Sequence, residues 1–288
     1  MVAAAVTPLP GCAPRTPLMA HCSSALCDFT LVKDFSRLKV FRTGPGSGPA
    51  VILLHELPGM SPPDMALARC LAREQFTVYM PLLFGEPGQN SVGRGYFQSC
   101  WQDDFACSKL STRSPMLDRL APLCQDVAKL GAPVGVIGMC LTGVFPLALV
   151  GEGIQAAVIC QPTVPFNALL GRPLGEQKRD LGLSAEDLKR ALTSTVPVLA
   201  LRYAGDTRCP PERMRALGAT FGRRLARIEL SGPGHSTLAV NFDHEAFADT
   251  TTYLKVVLGI ERGPRRMSLA RLGEAPCEIT AERRWRAI

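Results

Sequence analysis

Along this chain, short apolar or alternating runs trade places with longer stretches whose apolar residues recur every three or four positions. The first kind predicts strands packed into a sheet and the second amphipathic helices. Ala50 to Leu54, Phe76 to Met80, Val134 to Ile137, Ala156 to Cys160, Pro197 to Tyr203 and Ala226 to Leu230 are runs of the first kind. Between them, Ser61 followed by two prolines opens a helix with Leu67, Cys70 and Leu71 on one face, and Ser114-Pro115 opens another carrying Leu117, Leu120, Val127 and Leu130, which Gly131 and Pro133 stop. An apolar helix is expected after Cys140, running to about Gly151. Ser184 with Asp187 resembles a capping box leading into an exposed helix that ends near Ser194. Pro210-Pro211-Glu212 begins a helix with Met214, Leu217 and Phe221 inward, and a final helix spans Asp243 to about Leu258. Phe29 to Arg42 reads as an antiparallel edge hairpin, while Gln161 to Gly182 reads as a loop. Strands and helices in alternation predict an α/β fold, a doubly wound and mostly parallel sheet with helices on both faces.

The chain has 288 residues, enough for one α/β domain, which we place at 28–260. Residues 1–27, rich in Ala and Pro, are expected to form a disordered N-terminal extension within which Met19 could be the biological start, and residues 261–288 a C-terminal tail. The formal charge is +7, but the tail holds seven arginines against four glutamates, so the excess does not describe a basic groove in the body. No nucleic-acid partner is expected. No apolar run approaches the length of a membrane span, and Leu9-Pro10-Gly11-Cys12 lacks the preceding positive charge and long apolar stretch of a lipoprotein signal. Eleven cysteines without C-x-x-C spacing, in a chain too large to need a disulfide framework, suit a reducing compartment, and a cytoplasmic location is expected.

The strand at Val134 ends in Gly138-Met139-Cys140-Leu141-Thr142-Gly143, and an apolar helical segment follows at once. That is the outline of a nucleophile elbow, a strained strand-to-helix corner that lifts a side chain above the sheet, here with a thiol in the nucleophile's place. Only small residues fit beside it. Gly138 and Gly143 meet that demand; Thr142 does not, and its β-branched side chain must either pack against the strand or loosen the turn. Taken alone the pattern is weak, since most free cysteines are small buried hydrophobes.

Two further polar residues strengthen it. Asp206 follows the strand ending at Tyr203, and His235 follows the strand ending at Leu230, so Cys140, Asp206 and His235 stand at successive strand ends in the nucleophile-acid-histidine order of the α/β-hydrolase fold. A free thiol, with a pKa of about 8.5, is mostly protonated at neutral pH and needs an adjacent base before it can attack a carbonyl. The histidine takes that proton and the aspartate fixes its tautomer.

With Glu56 in His55-Glu56-Leu57-Pro58-Gly59, the elbow sequence, Gly205-Asp206 and Gly234-His235, the chain resembles the dienelactone hydrolase family over roughly residues 28 to 260. The resemblance implies carboxylic ester or enol-lactone substrates and no cofactor or metal. It also implies that Glu56 helps to deprotonate Cys140 and that the backbone N–H groups of Leu57 and Leu141 form an oxyanion hole, with donors of this kind contributing roughly 3 to 4 kcal/mol each. Arg94, seven residues before Trp101, matches one of the family's carboxylate-holding arginines, whereas Ala239 stands where a second is expected, so a dienelactone itself is not the expected substrate. A small-molecule partner and a monomer or small homo-oligomer complete the expectation.

Rival residues have ordinary explanations. Glu56 could simply cap the following helix and Asp206 form a turn; Asp180 and Asp187 follow no strand; His244 lies in the first turn of the last helix, facing solvent; His21 lies in the extension. His55 could tune Glu56, but the second histidine of a zinc H-E-x-x-H site is missing. A second class of function stays open, a catalytically silent α/β-hydrolase scaffold acting through binding, and a third, a redox-sensing thiol, lacks a resolving cysteine in the local sequence.

Overall fold

The computed structural model describes residues 26–32, 35, 38–88, 113–164 and 173–261, and the backbone of 278–280. Arg94, His21, most of the two ends, and the aromatic, partly polar segment 94–105, which from its sequence is expected to form part of a cap over the site, lie outside the described residues. Among the described residues nine strands form one sheet: β1 (Thr30–Val32), β2 (Val40–Thr43), β3 (Ala50–Leu54), β4 (Thr77–Pro81), β5 (Val134–Met139), β6 (Ala156–Cys160), β7 (Val198–Tyr203), β8 (Leu225–Leu230) and β9 (Glu278–Thr280). Their order is β1-β2-β4-β3-β5-β6-β7-β8-β9. The β1–β2 and β2–β4 pairs are antiparallel and every other pair is parallel. The wholly apolar strands β3, β5 and β6 occupy the centre, where both sheet faces are covered and no polar side is needed.

Alternate residues of these strands feed two separate cores. On one face Ile52, Leu54, Val134 and Val136 pack with α2 (Pro115–Lys129), α3 (Phe145–Ala148), α5 (Ala185–Thr193) and α6 (Pro211–Phe221). On the other Val51, Leu53, Ile137 and Met139 pack with α1 (Pro62–Arg73) and α7 (His244–Val257). Gly135 lets α7 press close, since a Cβ there would meet Leu254 Cδ2 at 2.9 Å. The remaining helix, α4 (Leu174–Arg179), lies on the chain between β6 and α5.

Four expectations need correction. The helix after Cys140 is a 3₁₀ turn at Cys140–Thr142 followed by only four residues of α-helix, because Pro146 has no N–H and fits only within a first turn. The expected loop at 161–182 contains α4, whose six residues include none that is buried, so no apolar stripe announced it. The expected tail contributes β9, three residues that are too short to show a period and that pair with Arg227 to Glu229. Finally, Cys27 and Cys70 are disulfide-bonded, which the scattered cysteine spacing did not foretell. Among the described residues, no helix is long and apolar enough to cross a membrane.

Candidate active site

The site is assembled at the carboxyl ends of β3, β5, β7 and β8. Beyond Met139 the chain leaves the sheet with Cys140 at φ +52°, a left-handed conformation that a non-glycine residue rarely adopts. The corner is held by backbone, with Gly143 N–H and Thr163 N–H both donating to Cys140 O at 2.9 Å. A Cβ on Gly138 would meet Thr142 O at 2.2 Å and Pro146 Cδ at 2.7 Å, and one on Gly143 would meet Pro162 Cα at 2.7 Å. These contacts explain both glycines of the motif. Cys140 itself is 7% exposed.

Asp206 sits in the turn after β7, its N–H bonded to Tyr203 O. One carboxylate oxygen accepts from the N–H groups of Arg208 and Cys209 at 2.9 and 3.3 Å, leaving the other 2.7 Å from His235 Nδ1. The loop carrying His235 is tied back by Asn241, whose side-chain oxygen accepts from the N–H groups of His235 and Ser236 at 3.0 and 3.3 Å. Gly205 and Gly234 bring the two loops together: Gly205 N–H donates to Gly232 O at 2.9 Å, and a Cβ on Gly234 would meet the Tyr203 ring at 2.6 Å.

Cys140 Sγ, a Glu56 carboxylate oxygen and a ring nitrogen of His235 all lie within 4.8 Å of one another. His235 Nε2 is buried and has no hydrogen-bond partner among the described residues, whereas Nδ1 is committed to Asp206. A cluster of this kind could also share a cation. Both Glu56 oxygens accept hydrogen bonds, from Ser236 Oγ and from Gln161 Nε2 at 3.2 Å, which hold the carboxylate beside the sulfur and the imidazole.

Electrostatics follow from this packing. Burial opposes charge on the imidazole, but the Asp206 carboxylate and the neighbouring Cys140 push His235 up to about 10. Burial alone would raise Asp206; the bond from His235 outweighs it and holds the carboxyl below its usual range. Glu56 is raised by burial, with Ser236, His235, Gln161 and Arg208 pulling the other way. The buried thiols of Cys124 and Cys209 are each pushed up to about 12, and that of Cys160 is raised further, so none of the three is set up as a nucleophile.

The other candidates fall out of the site. Glu56 does not cap α1; Asp64 and Ser61 do, with Ser61 N–H donating to Asp64 at 3.2 Å. His55 is buried and lowered to about 4 by desolvation, with Nε2 accepting from Leu83 N–H at 3.1 Å and Nδ1 3.2 Å from its neighbour's carbonyl, so it braces the loop rather than the Glu56 carboxylate. His244 is exposed against Phe242. Asp187 is bound by Ser184, Arg113 and Arg190, and Asp180 accepts from Gly182 N–H at 2.7 Å. Ala239 is buried in the core, so that position offers no charge to a substrate.

Sequence reasoning missed Ser236, Gln161 and Asn241. Ser236 adjoins the histidine, and Gln161 stands at the carboxyl end of a central strand, the position where polar residues of open α/β sheets meet ligands; Asn241 carried no local signal.

No protein-family model matches the chain, and no curated protein does. Solved structures do. A protein from Klebsiella pneumoniae assigned to the dienelactone hydrolases superposes with a TM-score of 0.57 at 17% identity, over 81% of this chain and 98% of its own. The Pyrococcus furiosus esterase superposes at 0.55 and 14% identity, over 80% and 91%. A puromycin-hydrolyzing peptidase from Mycobacterium tuberculosis matches 84% of this chain at a TM-score of 0.58 and 14% identity, but only 42% of its own length is covered. The fold is that of an α/β-hydrolase. Within that fold the chain turns away from β5 at Cys140, the residue with φ +52°.

Proposed function

We propose that this α/β-hydrolase cleaves carboxylic esters or lactones with Cys140 as nucleophile, His235 as its base, Asp206 as the residue that orients the imidazole, and Glu56 as a second carboxylate drawing the thiol proton. The observation that carries the reading is the placement of His235 between Asp206, 2.7 Å away, and the Cys140 sulfur within the 4.8 Å cluster. With Nδ1 bonded to Asp206, the imidazole turns its unpartnered nitrogen toward the thiol, as a general base must.

In this reading the thiol proton passes to the base and the sulfur attacks the ester carbonyl. The oxyanion is received by the N–H groups of Leu57 and Leu141. The imidazolium then protonates the departing alkoxide, leaving a thioester on Cys140. Water, deprotonated by His235, attacks the thioester, the sulfur leaves, and a carboxylate is released. A thiolate is itself a good leaving group, which favours esters and lactones over amides. The resemblance to dienelactone hydrolases in Glu56, the elbow, Asp206 and His235 supports the same assignment, with Arg94 proposed as a residue that holds a substrate carboxylate, and with no cofactor required by the scheme.

The test is turnover of a chromogenic ester. Wild-type protein should hydrolyse it, and Cys140→Ala should abolish the activity. Equal rates for the two proteins would overturn the assignment of Cys140, and no turnover by the wild-type protein would leave a binding scaffold. A panel of esters and lactones with and without a carboxylate then tests the role of Arg94.

A further inference from the structure

Thr142 breaks the expectation that the elbow takes only small residues, and the structure gives it work at that corner. Its side chain is fully buried. The Oγ1 accepts a hydrogen bond from Met139 N–H at 3.0 Å and stands 3.0 Å from Met139 O, 3.2 Å from Leu54 O and 3.4 Å from His55 O. The last register pair between β3 and β5 is Leu54 with Gly138. Past that pair the elbow turns away, so the carbonyls of Leu54 and His55 lose the ladder partners that a continuing β5 would supply. The threonine hydroxyl stands in that gap, within 3.0 to 3.4 Å of the carbonyls of Met139, Leu54 and His55.

The two chain ends it joins are the ones that carry the oxyanion donors. Leu57 lies two residues beyond His55, and Leu141 directly precedes Thr142. We propose that Thr142 is a positioning residue whose hydroxyl, by pinning the elbow to the end of β3, sets the separation of the Leu57 and Leu141 N–H groups that receive the oxyanion. This deepens the hydrolase reading and rests on it. An oxyanion hole demands donors 2.7 to 3.1 Å from one developing charge, so a small slip of one wall against the other weakens both bonds in the transition state while leaving the thiol where it was.

The consequence separates chemistry at sulfur from chemistry at the carbonyl. Alkylation of Cys140 by iodoacetamide forms a sulfur–carbon bond and expels iodide, with no oxyanion to stabilise. Ester turnover needs both. In the full chain, Thr142→Val keeps the branched shape and removes the hydroxyl, Thr142→Ala removes side chain and hydroxyl, and Thr142→Ser keeps the hydroxyl. The valine and alanine variants should lose about 10- to 100-fold in kcat with KM nearly unchanged and with the alkylation rate of Cys140 within about threefold of wild type. The serine variant should recover kcat to within about threefold. If Thr142→Val does not fold, the alanine and serine pair carries the same comparison.

A kcat in the folded valine or alanine variant within about threefold of wild type would overturn the proposal, as would equal losses in kcat and alkylation, which would place the effect on the thiol. Turnover that disappears in Cys140→Ala but ignores Thr142 would overturn the inference alone. Absence of any turnover in the wild-type protein would overturn the hydrolase reading with it.

Discussion

Cys140 and His235 face each other across the site, but they are held by different means. The cysteine is fixed by backbone: two N–H groups on its carbonyl, a left-handed φ, and glycines on either side whose missing Cβ atoms leave no room for anything larger. The histidine is fixed by side chains: Asp206 on Nδ1, Asn241 under its N–H, and Ser236 beside it reaching to Glu56. Glu56 is tied in turn through Gln161, whose other end accepts from Thr237 N–H and Oγ1 at 3.2 and 2.7 Å. A backbone-held position changes all at once, by loss of packing. A side-chain-held position changes by degrees, so the base half of the site should be tunable where the nucleophile half is not.

The largest effect expected on the side-chain half comes from Asp206→Asn. The amide keeps the shape but presents the wrong partner to the imidazole, and ester kcat should fall about 10³-fold, roughly 4 kcal/mol, with little change in the melting temperature. A loss of tenfold or less would mean that Glu56 can replace His235 as the base. On the backbone half the counterpart is Gly138→Ala. Its Cβ would meet a backbone oxygen that cannot move aside, and overpacking of this kind costs about 3 kcal/mol, or a melting temperature lower by roughly 6 to 12 °C, with activity lost alongside. Gly131→Ala is the control: φ is +87° there, a left-handed value that Gly138 does not share, but no atom lies within 4 Å of the added carbon, so only about 1 kcal/mol of backbone strain should register. Equal costs at the two positions would break the claim that contact, and not φ, locks the elbow.

The same contrast decides how much was legible in the sequence. The central strands were placed to within two residues because burial on both faces leaves an apolar run, and Cys140, Asp206 and His235, which the fold does bring together, could be picked out because they follow the ends of such runs. Gly138 and Gly143 were legible for the same reason, as backbone demands that only one residue type meets. The side-chain network was not. Ser236, Gln161 and Asn241 are polar residues of common types, and their value comes from partners 180, 105 and 6 residues away. Thr142 was visible, but only as a misfit, since its partners Leu54 and His55 lie on another strand. The short helix α4 and the strand β9 escaped, and the helix after Cys140 was expected to be longer than α3 is, because a few residues carry no measurable period.

A smaller effect is expected at Asn241. Asn241→Ala removes the acceptor under His235 and Ser236 but leaves Asp206 and the Tyr203 hydroxyl, which donates to the Asn241 backbone carbonyl at 2.6 Å, in place. The loop keeps its path and loses precision. Ester kcat should drop about tenfold, close to 1.4 kcal/mol, with the alkylation rate of Cys140 nearly constant. A loss as large as that of Asp206→Asn would show that the histidine loop is as rigidly specified as the elbow.

The smallest effect is a pH dependence of stability carried by His235 alone. Its folded-state pKa, raised to about 10, lies above the 6.5 of an unfolded chain, so the protonated imidazole binds the folded state more strongly. The sign is then fixed. The contribution is fully present below pH 6.5 and is lost as pH rises through the folded value near 10. His235→Gln should lower the urea midpoint of unfolding most at pH 6, and the gap to wild type should narrow steadily toward pH 10. His244→Gln, at an exposed position against Phe242, should leave that gap flat. A difference between wild type and His235→Gln that widens from pH 6 to pH 10 would mean that the imidazole is held neutral in the folded protein, and that the base half of the site is governed by burial rather than by its bond to Asp206.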